Sequence, residues 1–220
     1  MKPYYDEKGI TIYHADCLPA MKEMPDNEFS LAIVDPPYGI GRDHYSCGKK
    51  PSEKWKNPTQ KIYSGEWDTK PSPVYFKELE RVSKNRIIWG GNYFVLDPSP
   101  CWIVWDKKNA GLTMADCELA WTSFNTAIRK FEWMWSGFYK QKPEHRIHPT
   151  QKPVALYKWL LTNYAKQGQT ILDTHLGSGS IAIACDVFGF DLTAFEIDGE
   201  YIEGATDRLK RHRTQGVLPL

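Results

Sequence analysis

The chain has no C-x-x-C pair, and its five cysteines (17, 47, 101, 117 and 185) are odd in number. That pattern argues against a disulfide framework or a zinc site, and for a reducing compartment. There is no run of eighteen apolar residues, and Met1-Lys2-Pro3 does not open a signal peptide. A soluble cytoplasmic protein with no membrane span and no bound metal is therefore expected. No internal repeat is present. Net charge is almost absent too, at +1, so charge balance alone points to no partner.

The chain does have length, aromatics and local charge. Its 220 residues suit one large domain, or one domain with insertions, without covalent staples. Nine Trp and twelve Tyr are many, and most are expected in the core. The charge is unevenly spread: residues 41–61 and 129–152 each carry +4, leaving −7 on the remainder. Two basic segments on an acidic body read as phosphate-contacting arms, against the plainer reading of solvated loops.

Helical and strand patterns alternate along the chain. Strands are expected at Ile10–Tyr13, Leu31–Val34, Arg86–Trp89, Thr170–Leu172 and Leu192–Phe195. Helices are expected at Leu18–Met24, Pro73–Ser83, Val154–Ala165, Ser180–Phe188 and Glu200–Arg211. In the second helix Val74, Phe76, Leu79 and Val82 supply the apolar spacing. Cys101–Trp105 and Glu118–Phe124 read as an antiparallel pair at a sheet edge. The expected fold is α/β, a mostly parallel sheet covered on both faces. Residues 41–70 and 125–147 are irregular, and read as insertions in a single domain spanning 1–220.

Chemistry concentrates in two places. The apolar run Leu31–Val34 reads as a buried strand, and Asp35-Pro36-Pro37-Tyr38 ends it. Two prolines stiffen the backbone just past the strand, where an α/β sheet opens its ligand crevice. The Asp35 carboxylate and the Pro36 carbonyl are acceptors, and Tyr38 is a flat face. Together they suit a planar base with an exocyclic amino group. Near the other end, Asp173-Thr174-His175-Leu176-Gly177-Ser178-Gly179-Ser180 follows a strand and opens a helix. Glycines there let backbone approach a ligand, and Glu196, on the next strand, is placed to hold ribose hydroxyls. These residues imply a nucleotide-like cofactor and leave its identity open, since Gly177-x-Gly179-x-x-Ala182 loosely fits the dinucleotide pattern.

Asp-Pro-Pro-Tyr resembles the catalytic motif of the amino-group DNA methyltransferases. The glycine motif and the downstream Phe195-Glu196-Ile197-Asp198 resemble that family's S-adenosylmethionine site. His148-Pro149-Thr150-Gln151-Lys152-Pro153 matches another of its motifs, and Asp16-Cys17-Leu18 resembles the one that holds the cofactor's adenine. With the catalytic motif first and the glycine motif last, the order is that of the circularly permuted β class.

The resemblance implies a Rossmann-like, S-adenosylmethionine-dependent methyltransferase fold acting on N6 of a flipped-out adenine in double-stranded DNA. It implies a bacterial or phage-encoded modification enzyme and a possible homodimer. Asp35, Pro36, Pro37 and Tyr38 would be catalytic. Asp16, Cys17, Asp35, Thr150, Lys152, Asp173, His175, Gly177, Ser178, Gly179, Ser180, Glu196 and Ile197 would hold the cofactor. The basic segments would contact DNA through Arg42, Lys49, Lys50, Lys54, Lys56, Arg129 and Lys130.

The sequence departs from the family at Thr174-His175, where Pro-Phe is usual. Other readings remain: N4-cytosine methylation, whose enzymes more often carry Ser in place of Asp35; methylation of RNA or a protein glutamine, whose enzymes place the glycine motif first; and a nicotinamide-dependent oxidoreductase, which leaves Asp35–Tyr38 unexplained. Pro100-Cys101 copies the nucleophile pair of C5-cytosine enzymes, but it opens an apolar strand and reads as core.

Overall fold

The computed structural model describes residues 1–40, 68–111, 115–135, 141, 144, 147–148 and 150–215. Five strands form a parallel centre: β2 (Ile10–His14), β9 (Asp191–Glu196), β8 (Thr170–Asp173), β3 (Phe29–Val34) and β4 (Ser83–Trp89). β1 (Tyr5–Glu7) pairs antiparallel outside β2. On the other side come β6 (Cys117–Thr122), β5 (Trp102–Asp106) and β7 (Arg129–Glu132). The full order is β1-β2-β9-β8-β3-β4-β6-β5-β7.

Side-chain alternation along β3 divides the core. Leu31 and Ile33 join the cluster on one face; Ala32 and Val34 join the cluster on the other. All four are essentially inaccessible, which is why this strand is a continuous apolar run. Helices α3 (Val154–Tyr164), α4 (Ser180–Phe188) and α5 (Gly199–Gln215) cover the first face, and α1 (Cys17–Glu23) and α2 (Pro73–Val82) cover the second.

The mixed α/β architecture and both covered faces match the expectation. Four details correct it. The antiparallel pair β5–β6 is not the outer edge, because β7 adds a parallel strand to β5. The stretch 125–147 is therefore not wholly irregular. β1 lies where no strand was expected. In α2 the buried stripe is Tyr75, Leu79 and Val82, whereas Val74 is 44% exposed. The one-residue shift matters, because it brings the Tyr75 hydroxyl to Thr174 Oγ1 at 2.6 Å.

Candidate active site

β3 and β8 are neighbours, but their chains leave in opposite directions. β3 leads to α2 on one face, and β8 leads to α4 on the other. The parting opens a crevice at the carboxyl ends of the strands, the usual ligand position in such sheets. A cavity of about 580 Å³ lies there, within the range of small-molecule sites. Asp35–Tyr38 line one side of it. Leu176–Ser178 and Glu196–Asp198 line another.

The Asp35 side is built from charges. Tyr38 donates its hydroxyl to Asp35 Oδ1 at 2.7 Å, and the Lys152 ammonium donates to Asp35 Oδ2. The Lys152 side chain is 3% exposed, and its Nζ also lies 3.3 Å from Glu118 Oε2. Burial would push the Glu118 carboxyl up, but the Lys152 and Lys107 ammoniums hold it at about 2. Burial likewise opposes the charge on Lys152, and Asp35 and Glu118 overcome it, so its pKa is raised. Tyr38 stacks on Tyr93, with centroids 5.0 Å apart and planes at 20°. Gly90 permits this. Its φ is +68°, and a Cβ there would lie 2.2 Å from the Tyr38 ring.

The glycine-loop side is built from backbone. The Gly177 N–H donates to Glu196 Oε2 at 2.7 Å, and the Asp198 N–H donates to Oε1 at 3.0 Å. Glu196 is 8% exposed, and burial raises its pKa. Gly179, at φ +70°, ends the loop where a Cβ would approach Ala205 Cβ of α5 to 2.9 Å. Arg208, from α5, donates to Ser178 O at 2.9 Å and Ser180 Oγ at 2.8 Å, and pairs with Glu144 at 2.6 Å. Ser180 Oγ donates in turn to Lys152 O at 2.7 Å, tying the loop to the 148–153 segment.

One buried ionisable group lies beneath this loop and one half-buried group lines the cavity beside it. Asp173, 2% exposed, accepts from the His175 N–H at 3.0 Å. Burial pushes its carboxyl up to about 8. Burial pushes the His175 imidazole down to about 4. His175 Nδ1 lies 2.9 Å from Thr174 Oγ1, and its ring meets Tyr75 edge-on.

Most expected residues converge. Asp16, Asp35–Tyr38, Thr150, Lys152, His175, Gly177, Ser178, Glu196 and Ile197 all line the cavity. Others stand behind it. The Cys17 thiol is buried in the α1–α2 cluster and raised to about 12 by burial, so its side chain offers a ligand nothing. Asp173, Gly179 and Ser180 shape the loop from beneath. Lys152, expected on the cofactor, lines the cavity with its ammonium donating to Asp35.

Arg129 and Lys130 lie on the outer strand β7, four strand positions from β3. The Lys130 ammonium is paired with Glu132 and, at 3.6 Å, with Asp106. Arg42, Lys49, Lys50, Lys54 and Lys56 fall outside the described residues. Trp133 stacks on Phe131, and Trp135 Nε1 donates to Gln151 O at 2.9 Å, so both pack the protein. Cys101 is inaccessible at the start of β5. Glu118, Tyr157 and Arg208 belong to the site or its support and carry no motif. A charge in the otherwise apolar strand Glu118–Trp121 was the one available signal.

Residues 122–207 match the family model described as DNA methylase. The chain is 23% identical to the Type II methyltransferase M2.MboI of Moraxella bovis, over 100% of this chain and 93% of that one. It is also 23% identical to M.ScaI of Streptomyces caespitosus, over 95% and 84%. Two solved structures share the fold. A complex of M1.HpyAVI with SAM aligns with a TM-score of 0.56 and 20% identity, covering 91% of this chain and 100% of that one. The cytosine-N4-specific PvuII DNA methyltransferase aligns with a TM-score of 0.59 and 14% identity, covering 97% and 93%. The fold is thus the Rossmann-like α/β fold of these enzymes, and the chain's likeness to DNA methyltransferases runs over nearly its whole length.

Proposed function

We propose that this chain transfers a methyl group from S-adenosylmethionine to the N6 amino group of an adenine in double-stranded DNA. The observation that carries the reading is one cavity with two chemically different walls. Asp35 and Tyr38 stand on one, and the Gly177 loop with Glu196 stands on the other.

The second wall fits the cofactor. Glu196 is a fixed carboxylate whose remaining acceptor positions suit ribose hydroxyls. Asp16 adds a second acceptor, and Ile197, 70% exposed, offers an apolar face for an adenine ring. When bound, the cofactor supplies a methyl group on a sulfonium, a good leaving group.

The first wall fits the target. An adenine amino nitrogen is a weak nucleophile, because its lone pair is delocalised into the ring. Asp35 and the Pro36 carbonyl accept its N–H groups and stabilise the positive charge that develops as the N–C bond forms. Each carboxylate oxygen has two acceptor positions, so Asp35 keeps room beside Tyr38 and Lys152. Tyr38, which lines the cavity and stacks on Tyr93, provides an aromatic surface beside Asp35. A duplex hides this nitrogen, so the base must be flipped out. Positioning supplies most of the rate, and no covalent nucleophile is required.

Asp at position 35 favours adenine over cytosine N4. The test is transfer of labelled methyl from S-adenosylmethionine to duplex DNA. Label retained in DNA supports the reading. S-Adenosylmethionine should also raise the melting temperature by mass action. Stabilisation by NADH instead, with no label in DNA, would restore the oxidoreductase reading.

A further inference from the structure

We propose that Lys152 and Glu118 form a positioning pair that aims Asp35 and sets the charge it presents to the target nitrogen. The inference rests on the methyl-transfer reading, and deepens it at the same site.

Lys152 is among the most enclosed charged side chains described, at 3% exposure, and it reaches Asp35 across 117 residues of sequence. Its ammonium lies near two rings, with Nζ 5.4 Å from the Trp89 centroid and 5.9 Å from the Tyr38 centroid. Its backbone carbonyl is held by Ser180. Such a lysine has little freedom to swing out to a ligand, so it acts as a fixed donor that locks the Asp35 carboxylate plane.

Charge counting explains the second carboxylate. Lys152 alone on Asp35 would make a neutral pair, and its positive charge would oppose the charge growing on the target nitrogen. Glu118 shares the ammonium from 3.3 Å. With its second partner Lys107 the cluster of two carboxylates and two ammoniums is neutral, so without Glu118 a net +1 would stand beside the place where positive charge develops. Lys107, on the far side of Glu118, holds that carboxylate in place. Glu118 projects from β6, an antiparallel strand two places from β3, so Lys152 ties β6 to the residue that ends β3. Buried charges of this kind are costly unless paired, and here each cation touches a carboxylate.

The test is a double-substitution cycle with steady-state kinetics: Glu118→Gln, Lys152→Met, and both together. Glu118→Gln should lower kcat about tenfold or more while leaving the KM for S-adenosylmethionine within twofold. Lys152→Met should lower kcat further and lower the melting temperature, because Asp35 loses its ammonium partner and Glu118 keeps Lys107 alone. The double variant returns the cluster to the wild type's net charge of zero and should recover both quantities relative to Lys152→Met, a non-additive result. Wild-type kcat in Glu118→Gln would overturn the proposal, even if Lys152→Met fails to fold. So would strict additivity of the two substitutions, or a Glu118→Gln loss confined to KM. Failure of the wild type to methylate any DNA would instead remove the reading beneath it.

Discussion

The two walls of the cavity are made by different physics. On the Asp35 wall, charged side chains from β3, β6 and the 148–153 segment meet across long sequence separations. On the glycine-loop wall, backbone N–H groups and one carboxylate meet within about twenty residues. The first wall is tuned by net charge, and the second by chain geometry. A wall that must stabilise a developing charge needs fixed charges nearby. A wall that must grip a small molecule needs close backbone approach. The reaction would take place where the two meet.

Substitution should separate the walls, with the largest effect on the first. Asp35→Ala should lower kcat by about 10²–10³-fold or more, while S-adenosylmethionine still raises the melting temperature. Loss of that thermal shift would mean the walls are not separable. Glu196→Ala should do the converse, weakening the cofactor about 10–100-fold in a binding titration, the scale of hydrogen bonds to a charged group. An unchanged affinity would remove Glu196 from the site.

Smaller effects lie beneath the loop. The native Asp173 carboxyl sits at about 8, against 3.8 ordinarily. Below about pH 4 it is protonated in both folded and unfolded chains. As pH rises towards 8 the unfolded chain ionises first, so native stability is lost over that window. Asp173→Asn should therefore raise the melting temperature by several degrees at pH 8 and change little near pH 4. A destabilised variant at pH 8 would show that the carboxylate is instead ionised and partnered.

His175 runs the other way. Its native pKa is pushed from 6.5 down to about 4, so stability is present above pH 6.5 and lost as pH falls to 4. His175→Phe should flatten that decline in a melting series across pH. The smallest effect belongs to Cys101→Ser, which should keep most activity because no covalent step is proposed. A covalent protein–DNA complex lost in this variant would contradict that.

How far sequence reading reached follows the same division. The glycine loop and Leu31–Val34 with Asp35–Tyr38 were legible because each is local: a strand, a turn and a helix start within one stretch. β1 and β7 were not. β1 has three residues, and only Phe131 of the four in β7 is buried, so neither shows a period. The Lys152–Glu118 contact depends on strand order, and the lone charge in Glu118–Trp121 marks one residue of the pair but not its partner. The motif around Lys152 marks it as a site residue, but its contact with Asp35 follows only from the fold. Arg129 and Lys130 looked like free basic charge until β7 placed Lys130 beside Glu132.

The most direct measurement is the identity of the methylated nucleoside. Duplex DNA treated with the protein and S-adenosylmethionine would be digested to nucleosides and resolved by mass spectrometry, with Asp35→Ala alongside. N6-Methyldeoxyadenosine should form with the wild type and fall to background in the variant. N4-Methyldeoxycytidine in its place would keep the two-wall account but overturn adenine as the target, and equal yields from both proteins would contradict the role of Asp35 itself.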